Sequence, residues 1–327
     1  MEVYVTGASG FVGRHVARAL EAAGAEVRSR RVDLLDPAGL ERAVRGCDAV
    51  VHVAALYSYD ADPRRIEAVN VHGTRNLLDA AARAGVSRFL HTSTAGTCGP
   101  VAGRAATERD RPPAWELAVP YKRTKLAAER LVLAAARAGL DAVVVNPTTP
   151  VGPGDRKPTP TGAMVAGVAR GRMRAYLPTT GLNVVDVRDV AAGHALALEH
   201  GRRGRRYLLG GRNLRLRDLF ALIAEIAGLT PPRLPVPYPV VRAAAAVGLA
   251  NRQEVALARL PMFFDSTRAE AELGYAPGPV EPALAWAVHE ALAADTRRRP
   301  LELYLSRARE IRRASSARHE PAIPSRT

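Results

Sequence analysis

Over roughly the first 150 residues, short continuous apolar runs alternate with longer stretches whose apolar positions return every third or fourth residue. "EVYVTG" is a strand pattern, and Phe11 to Ala23 ("FVGRHVARALEAA") is an amphipathic helix stopped by Gly24. "AEVRSR" follows as a strand and "PAGLERAVRG" as a helix. Next come strand "DAVVHVAA", helix "NVHGTRNLLDAAARAG", strand "SRFLHTS", a helix opening near Tyr121, and strand "DAVVVNP". Strands that are apolar on both faces, each followed by a helix, predict a doubly wound parallel sheet with right-handed crossovers.

After Pro147 the texture changes. "NPTTPVGPGDRKPTPTG" is dense in proline and glycine and reads as a stiffened loop. "GLNVVDVRDVAAGHALALEHG" is a short strand and a helix, and "LRLRDLFALIAEIAG" and "EPALAWAVHEALAAD" are further helices. The expected fold class is α/β: residues 1–150 form the sheet core, which also receives about 182–208. Residues 151–181 and 209–295 form a smaller mixed substrate lobe, and 296–327 a basic tail.

Charge alters this picture little. Of the net +15, the segment 296–327 carries nine arginines against three glutamates. The remaining excess is scattered over helices without aromatic interleaving, so no nucleic-acid partner is expected. Contact of the tail with anionic membrane stays open. "MEVYVTG" enters a strand directly, with neither a basic nor an apolar leader region, so no secretory signal is expected. Cys47 and Cys98 are too few for a disulfide framework and suit a reducing cytoplasm. The eight histidines show no paired spacing, so no metal is expected.

"VTGASGFVG" places Gly7, Gly10 and Gly13 between the first strand and the first helix. A tight turn there brings backbone N–H groups against a pyrophosphate at a helix N-terminus, which makes Gly7, Gly10, Phe11, Val12 and Gly13 the candidate cradle. A NAD site commonly ends its second strand with a carboxylate for the ribose 2′-hydroxyl. Here Arg28, Arg30 and Arg31 stand in that region, which favours NADP(H) over NAD(H). Asp33 and Leu34 lie just beyond, towards the adenine end. Ala54 and Ala55 offer small side chains beside which the cofactor can lie, and Pro147 and Thr148, closing "DAVVVNP", complete the candidate cofactor set. His52, flanked by valines, reads as a satisfied core residue.

Only three of the 47 basic residues are lysine, and two of these, Lys122 and Lys125, fall in "VPYKRTKLAAERL". Tyr121 and Lys125, four apart, share a helix face. A phenol is a poor base at neutral pH, but a nearby ammonium favours the phenolate. The tyrosine can then exchange a proton with a substrate hydroxyl while hydride moves to or from a nicotinamide. The other reading of the pair is an exposed, solvated helix face.

"TGASGFVG", "VVHVAA", "NVHGTRNLL", "HTSTAGTCG", "YKRTK" and "NPTTPVGPGD" together resemble the extended short-chain dehydrogenase/reductase (NAD-dependent epimerase/dehydratase) family. The likeness runs to about Asp295. Within that family the Pro-rich run is most similar to hopanoid-associated sugar epimerases, with dihydroflavonol-reductase-like enzymes close behind. The resemblance implies a Rossmann core, a homodimer, and a third catalytic hydroxyl at Thr94, with Ser93 as the neighbouring alternative. It also implies a site-ordering role for Asn70, for which a helix cap is the equal alternative. Candidate substrate-lining residues are Ser93, Thr149, Lys157, Thr159 and Asn183.

Departures narrow the chemistry. Sugar dehydratases of the family place an acidic pair where Ala95 and Gly96 stand, so dehydration is disfavoured. "ARLPMFFD" replaces the family's pyrophosphate-binding segment, leaving Arg259 as the phosphate contact to consider. The expected activity is NAD(P)-dependent hydride transfer at a secondary alcohol or ketone of a small molecule. The alternatives are epimerisation of a sugar attached to a lipid or nucleotide, and a non-catalytic NAD(P)-binding regulator.

Overall fold

The computed structural model describes residues 1–57 and 61–293, so the basic tail lies outside the described residues. The first half runs β1 (Glu2–Thr6), α1 (Phe11–Ala22), β2 (Glu26–Arg28), α2 (Pro37–Val44), β3 (Ala49–His52), α3 (Pro63–Glu67), α4 (Gly73–Arg83), β4 (Arg88–Thr92), α5 (Pro120–Arg137) and β5 (Asp141–Pro147). The second runs β6 (Thr149–Val151), α6 (Pro160–Ala169), β7 (Ala175–Tyr176), β8 (Gly181–Asp186), α7 (Val187–His200), β9 (Arg206–Leu209), β10 (Arg212–Arg215), α8 (Leu216–Ala227), β11 (Leu234–Pro235), α9 (Tyr238–Ala246), α10 (Arg252–Leu257), α11 (Thr267–Leu273) and α12 (Glu281–Ala293).

Six parallel strands form the main sheet in the order β2-β1-β3-β4-β5-β9. Alternate residues of each strand feed different cores. Val3, Val5, Val51, Leu90, Val143 and Val145 pack with α1, α7 and α11 on one face. Tyr4, Val50, Phe89, Ala142 and Val144 pack with α2, α4 and α5 on the other. This two-sided burial is why the strands read as unbroken apolar runs.

The second lobe is built on a mixed sheet, β10-β8-β6, and a short pair, β11-β7. Its core comes from α6, α8 and α12. The chain rejoins the main sheet a few residues later than the expected 182. β8 stays in the lobe's own sheet, and α7 and β9 make the return. β2 spans three residues only, so the adenosine end of the sheet is short.

Candidate active site

β1 and β3 are neighbours, yet the chain leaves them towards opposite edges of the sheet, which opens a crevice at their carboxyl ends. Gly7 lines it with φ of +71°, and a Cβ there would sit 2.8 Å from Ala54 Cα. At Gly13 a Cβ would lie 2.1 Å from the Gly7 carbonyl oxygen, so α1 can start hard against the turn only without a side chain. The Gly10 N–H donates to Gly7 O at 2.9 Å, and Gly10 as N-cap brings no side chain to the first turn of α1. The N–H groups of Phe11, Val12 and Gly13 are thus left uncapped by any side chain, and this cradle fits a dinucleotide pyrophosphate.

A hydrogen-bond chain fixes the opposite wall. Ala54 N–H donates to Thr6 Oγ1 (3.2 Å), which contacts His52 Nδ1 (2.8 Å), and His52 Nε2 lies 3.0 Å from Thr74 Oγ1. Thr74 donates its own proton to Asn70 O, so its oxygen accepts from His52 and the tautomer is Nε2–H. Burial and then the Lys125 charge hold His52 near 3, making it the neutral core residue expected. Asn70 caps no helix. It lies within one π-helical turn, Ala68–His72, that joins α3 to α4. Its Oδ1 accepts from Leu56 N–H (2.7 Å), and its Nδ2 donates to Leu56 O (3.1 Å) and Thr124 Oγ1 (3.2 Å). The exit of β3, which carries Ala54 and the exposed Ala55, is thereby tied to α5.

At the adenosine end, Arg28 pairs with Glu2 and donates to Arg45 O, while Arg30 and Arg31 are exposed. Asp33 is exposed and accepts from Leu35 N–H. The Leu34 side chain is buried against Gly73, and its carbonyl accepts from Asn76, so it is a core residue with its polar group engaged.

Across the crevice, α5 opens at Pro120 and presents Tyr121, half-buried, with its ring 4.4 Å from that of Tyr57. Lys125 is 3% exposed, and its Nζ donates to Thr92 O at the end of β4 (2.6 Å). Burial lowers its pKa to about 8, with the Glu129 carboxylate pulling the other way. Lys125 is therefore no member of a solvated face. Thr94 caps a 3₁₀ turn, Ala95–Thr97, its Oγ1 accepting from Gly96 N–H (3.3 Å). Ser93 is buried, and its hydroxyl has no hydrogen-bond partner among the described residues.

Sequence reasoning missed the charged support beneath this turn. Glu129 Oε2 accepts from Thr97 (2.7 Å) and from Asn146 Nδ2 (2.9 Å), and Oε1 ion-pairs with Arg206 at 2.8 Å. Asn146 also donates to Thr94 O (3.1 Å). Lys122, beside Gly96, pairs with the buried Glu116. The available signal was spacing: positions 122, 125 and 129 share one helix face.

The remaining candidates divide. Pro147 is buried at the end of β5, Thr148 donates its N–H to Leu209 O, and half-buried Thr149 opens β6. Asn183 is fully buried, with its amide engaged by Gly211, Asn213 and Phe264, so it braces the lobe from within. Thr159 caps α6 and bonds Asp155, and Lys157 is exposed on the same loop. Arg259 lies over the Trp115 ring, 5.6 Å from its centroid.

Known proteins agree with this architecture. Residues 3–210 match the NAD dependent epimerase/dehydratase family. The chain is 38% identical to a putative dihydroflavonol 4-reductase of Synechocystis, over 88% of this chain and 93% of that one. It is 34% identical to sterol demethylase protein B of Methylococcus capsulatus, over 88% and 97%. The crystal structure of gox2253 superposes with a TM-score of 0.78 at 40% identity, covering 91% of this chain and 99% of that one. The glycine cradle, the tyrosine–lysine helix and these likenesses converge: this chain is an NAD(P)-binding enzyme of the NAD dependent epimerase/dehydratase family.

Proposed function

We propose that the protein is an NADP(H)-dependent oxidoreductase acting on a ketone or secondary alcohol of a small molecule, with Tyr121 as general acid/base. One observation carries this reading: Tyr121 and Lys125 share the opening of α5, with the Lys125 ammonium buried at the carboxyl end of β4 across the crevice from the Gly7–Gly13 turn. The nicotinamide, when bound, supplies or accepts the hydride. The chain's own residues manage the proton. With a pKa of about 8, Lys125 is mostly an ammonium at neutral pH and favours the Tyr121 phenolate. The Thr94 oxygen already accepts from Gly96 N–H, which leaves the hydroxyl proton to donate to the substrate oxygen and orient it. Neither Ala95 nor Gly96 carries an acid or base, and the Lys122 ammonium beside Gly96 is engaged by Glu116, which speaks for hydride transfer without loss of water.

Tyr121→Phe is expected to lower kcat by about a thousandfold or more while leaving dinucleotide affinity within about twofold. Steady-state rates with a ketone panel and a fluorescence titration of cofactor measure both; retained turnover refutes the assignment. Arg30 and Arg31, exposed just past β2, support the NADP(H) preference. Replacing both with alanine is expected to raise the NADPH KM about tenfold or more with little effect on NADH.

A further inference from the structure

α9 inverts the pattern of an ordinary surface helix, whose outward positions are polar. Its inward side holds buried Ala245. Its outward side carries Val240, Ala243, Ala246 and, one residue past its end, Val247, with Arg242 as the single charge. Val247 is 73% exposed, and Leu249 in the turn to α10 is 81% exposed. Leu234, just before the helix, is also exposed, so one short segment holds four of the six exposed large hydrophobic side chains among the described residues. Isolated exposed apolar residues need no explanation, but a clustered set does.

The border of this patch is cationic. Arg233 adjoins Leu234, Arg242 projects from α9, and Arg252 is pinned beside the tip by donating to Ala245 O (3.1 Å) and Ala246 O (2.7 Å). Glu254 is the one acidic residue between positions 230 and 264. We propose that the α9–α10 hairpin is a docking surface for an anionic lipid bilayer. The aliphatic tip enters the interface, and the guanidinium groups pair with headgroup phosphates. Charge decides among occupants. A second copy of the hairpin would set Arg242 and Arg252 against themselves, and the chain's own segment 296–327, with nine arginines against three glutamates, would be repelled. The proposal does not rest on the catalytic reading. Among the described residues no helix is long and apolar enough to cross a membrane, so the contact is peripheral.

The test is co-sedimentation of the full chain with phosphatidylcholine vesicles and with phosphatidylcholine–phosphatidylglycerol vesicles near physiological salt. The native protein is expected to sediment with the phosphatidylglycerol vesicles and weakly with the neutral ones. Val247→Asp/Leu249→Asp changes two solvent-exposed side chains, so thermal unfolding should be unaltered while binding falls about tenfold or more. Arg242→Glu, at a separate exposed position, is expected to weaken binding in the same direction. Three results would overturn the proposal: a native protein that stays in the supernatant, a double variant that sediments like the native, or a native dimer that the double variant splits without any change in vesicle binding.

Discussion

Lys125 holds a positive charge where burial opposes one. The lysine was legible because the chain uses arginine almost everywhere else, and the two lysines of α5 are buried while Lys157 is exposed. A guanidinium at position 125 could not adjust its proton, whereas an ammonium can. The linkage follows from the shift. The folded pKa of about 8 lies below the ordinary lysine value of 10.5, so the unfolded chain binds more protons between those limits. The burial penalty is full below about 8 and is relieved as pH rises towards 10.5. Compared with Lys125→Met, the native protein should therefore gain roughly 2–3 kcal/mol of relative stability between pH 7 and pH 10. Urea unfolding of both proteins at each pH measures this, and parallel curves would contradict it.

At the scale of one element, α5 does two jobs along a single face. Lys122, Lys125 and Glu129 come first along it, and Val132 and Ala136 seal its last turns into the core. The helix and its opening near Tyr121 were readable from spacing. The partners of those charges were not, because Thr97, Asn146 and Arg206 reach Glu129 from other elements, and Glu116, though only six residues before Lys122, is turned onto it by the short 3₁₀ turn ahead of α5. The π turn at Asn70 was equally hidden, since it answers to packing between α3, α4 and α5 rather than to local propensity. The Lys122–Glu116 pair supports a specific expectation. Burial pushes the Glu116 carboxyl up and the Lys122 ammonium down, so each charge depends on the other. Removing either alone, as in Lys122→Met or Glu116→Leu, should destabilise the protein by about 3–5 kcal/mol, and the double variant should recover most of that loss. Denaturant midpoints for the four-member cycle decide it, and additive losses would show that the pair is not coupled.

For the whole molecule, the parallel core was legible because each strand is apolar on both faces and each crossover is a helix. The lobe boundary was less so, because β8 looks locally like another core strand and only its pairing with β6 and β10 assigns it elsewhere. The core that unites these parts contains three fully buried histidines, His52 on β3, His91 on β4 and His194 on α7. Burial lowers all three, His52 to about 3 and His194 to about 4, with His91 well below its ordinary value. A histidine held neutral in the fold but free to protonate when unfolded supplies stability that is present above about pH 6.5 and is lost as pH falls. Buried Glu116 and half-buried Asp155 and Asp189 are shifted upwards, chiefly by burial, and oppose this trend. Between about pH 6.5 and 5 the histidines should govern, each adding roughly 1.4 kcal/mol of lost stability per pH unit once the unfolded imidazole is charged. His194→Gln is the sharpest probe, since the amide can take up hydrogen bonds towards Thr92 and Val190 without a titrating ring. Urea midpoints followed by tryptophan fluorescence from pH 7 to 5 should fall less steeply in that variant than in the native protein. Equal slopes would mean that protonation of the buried ring is not what limits the fold in acid.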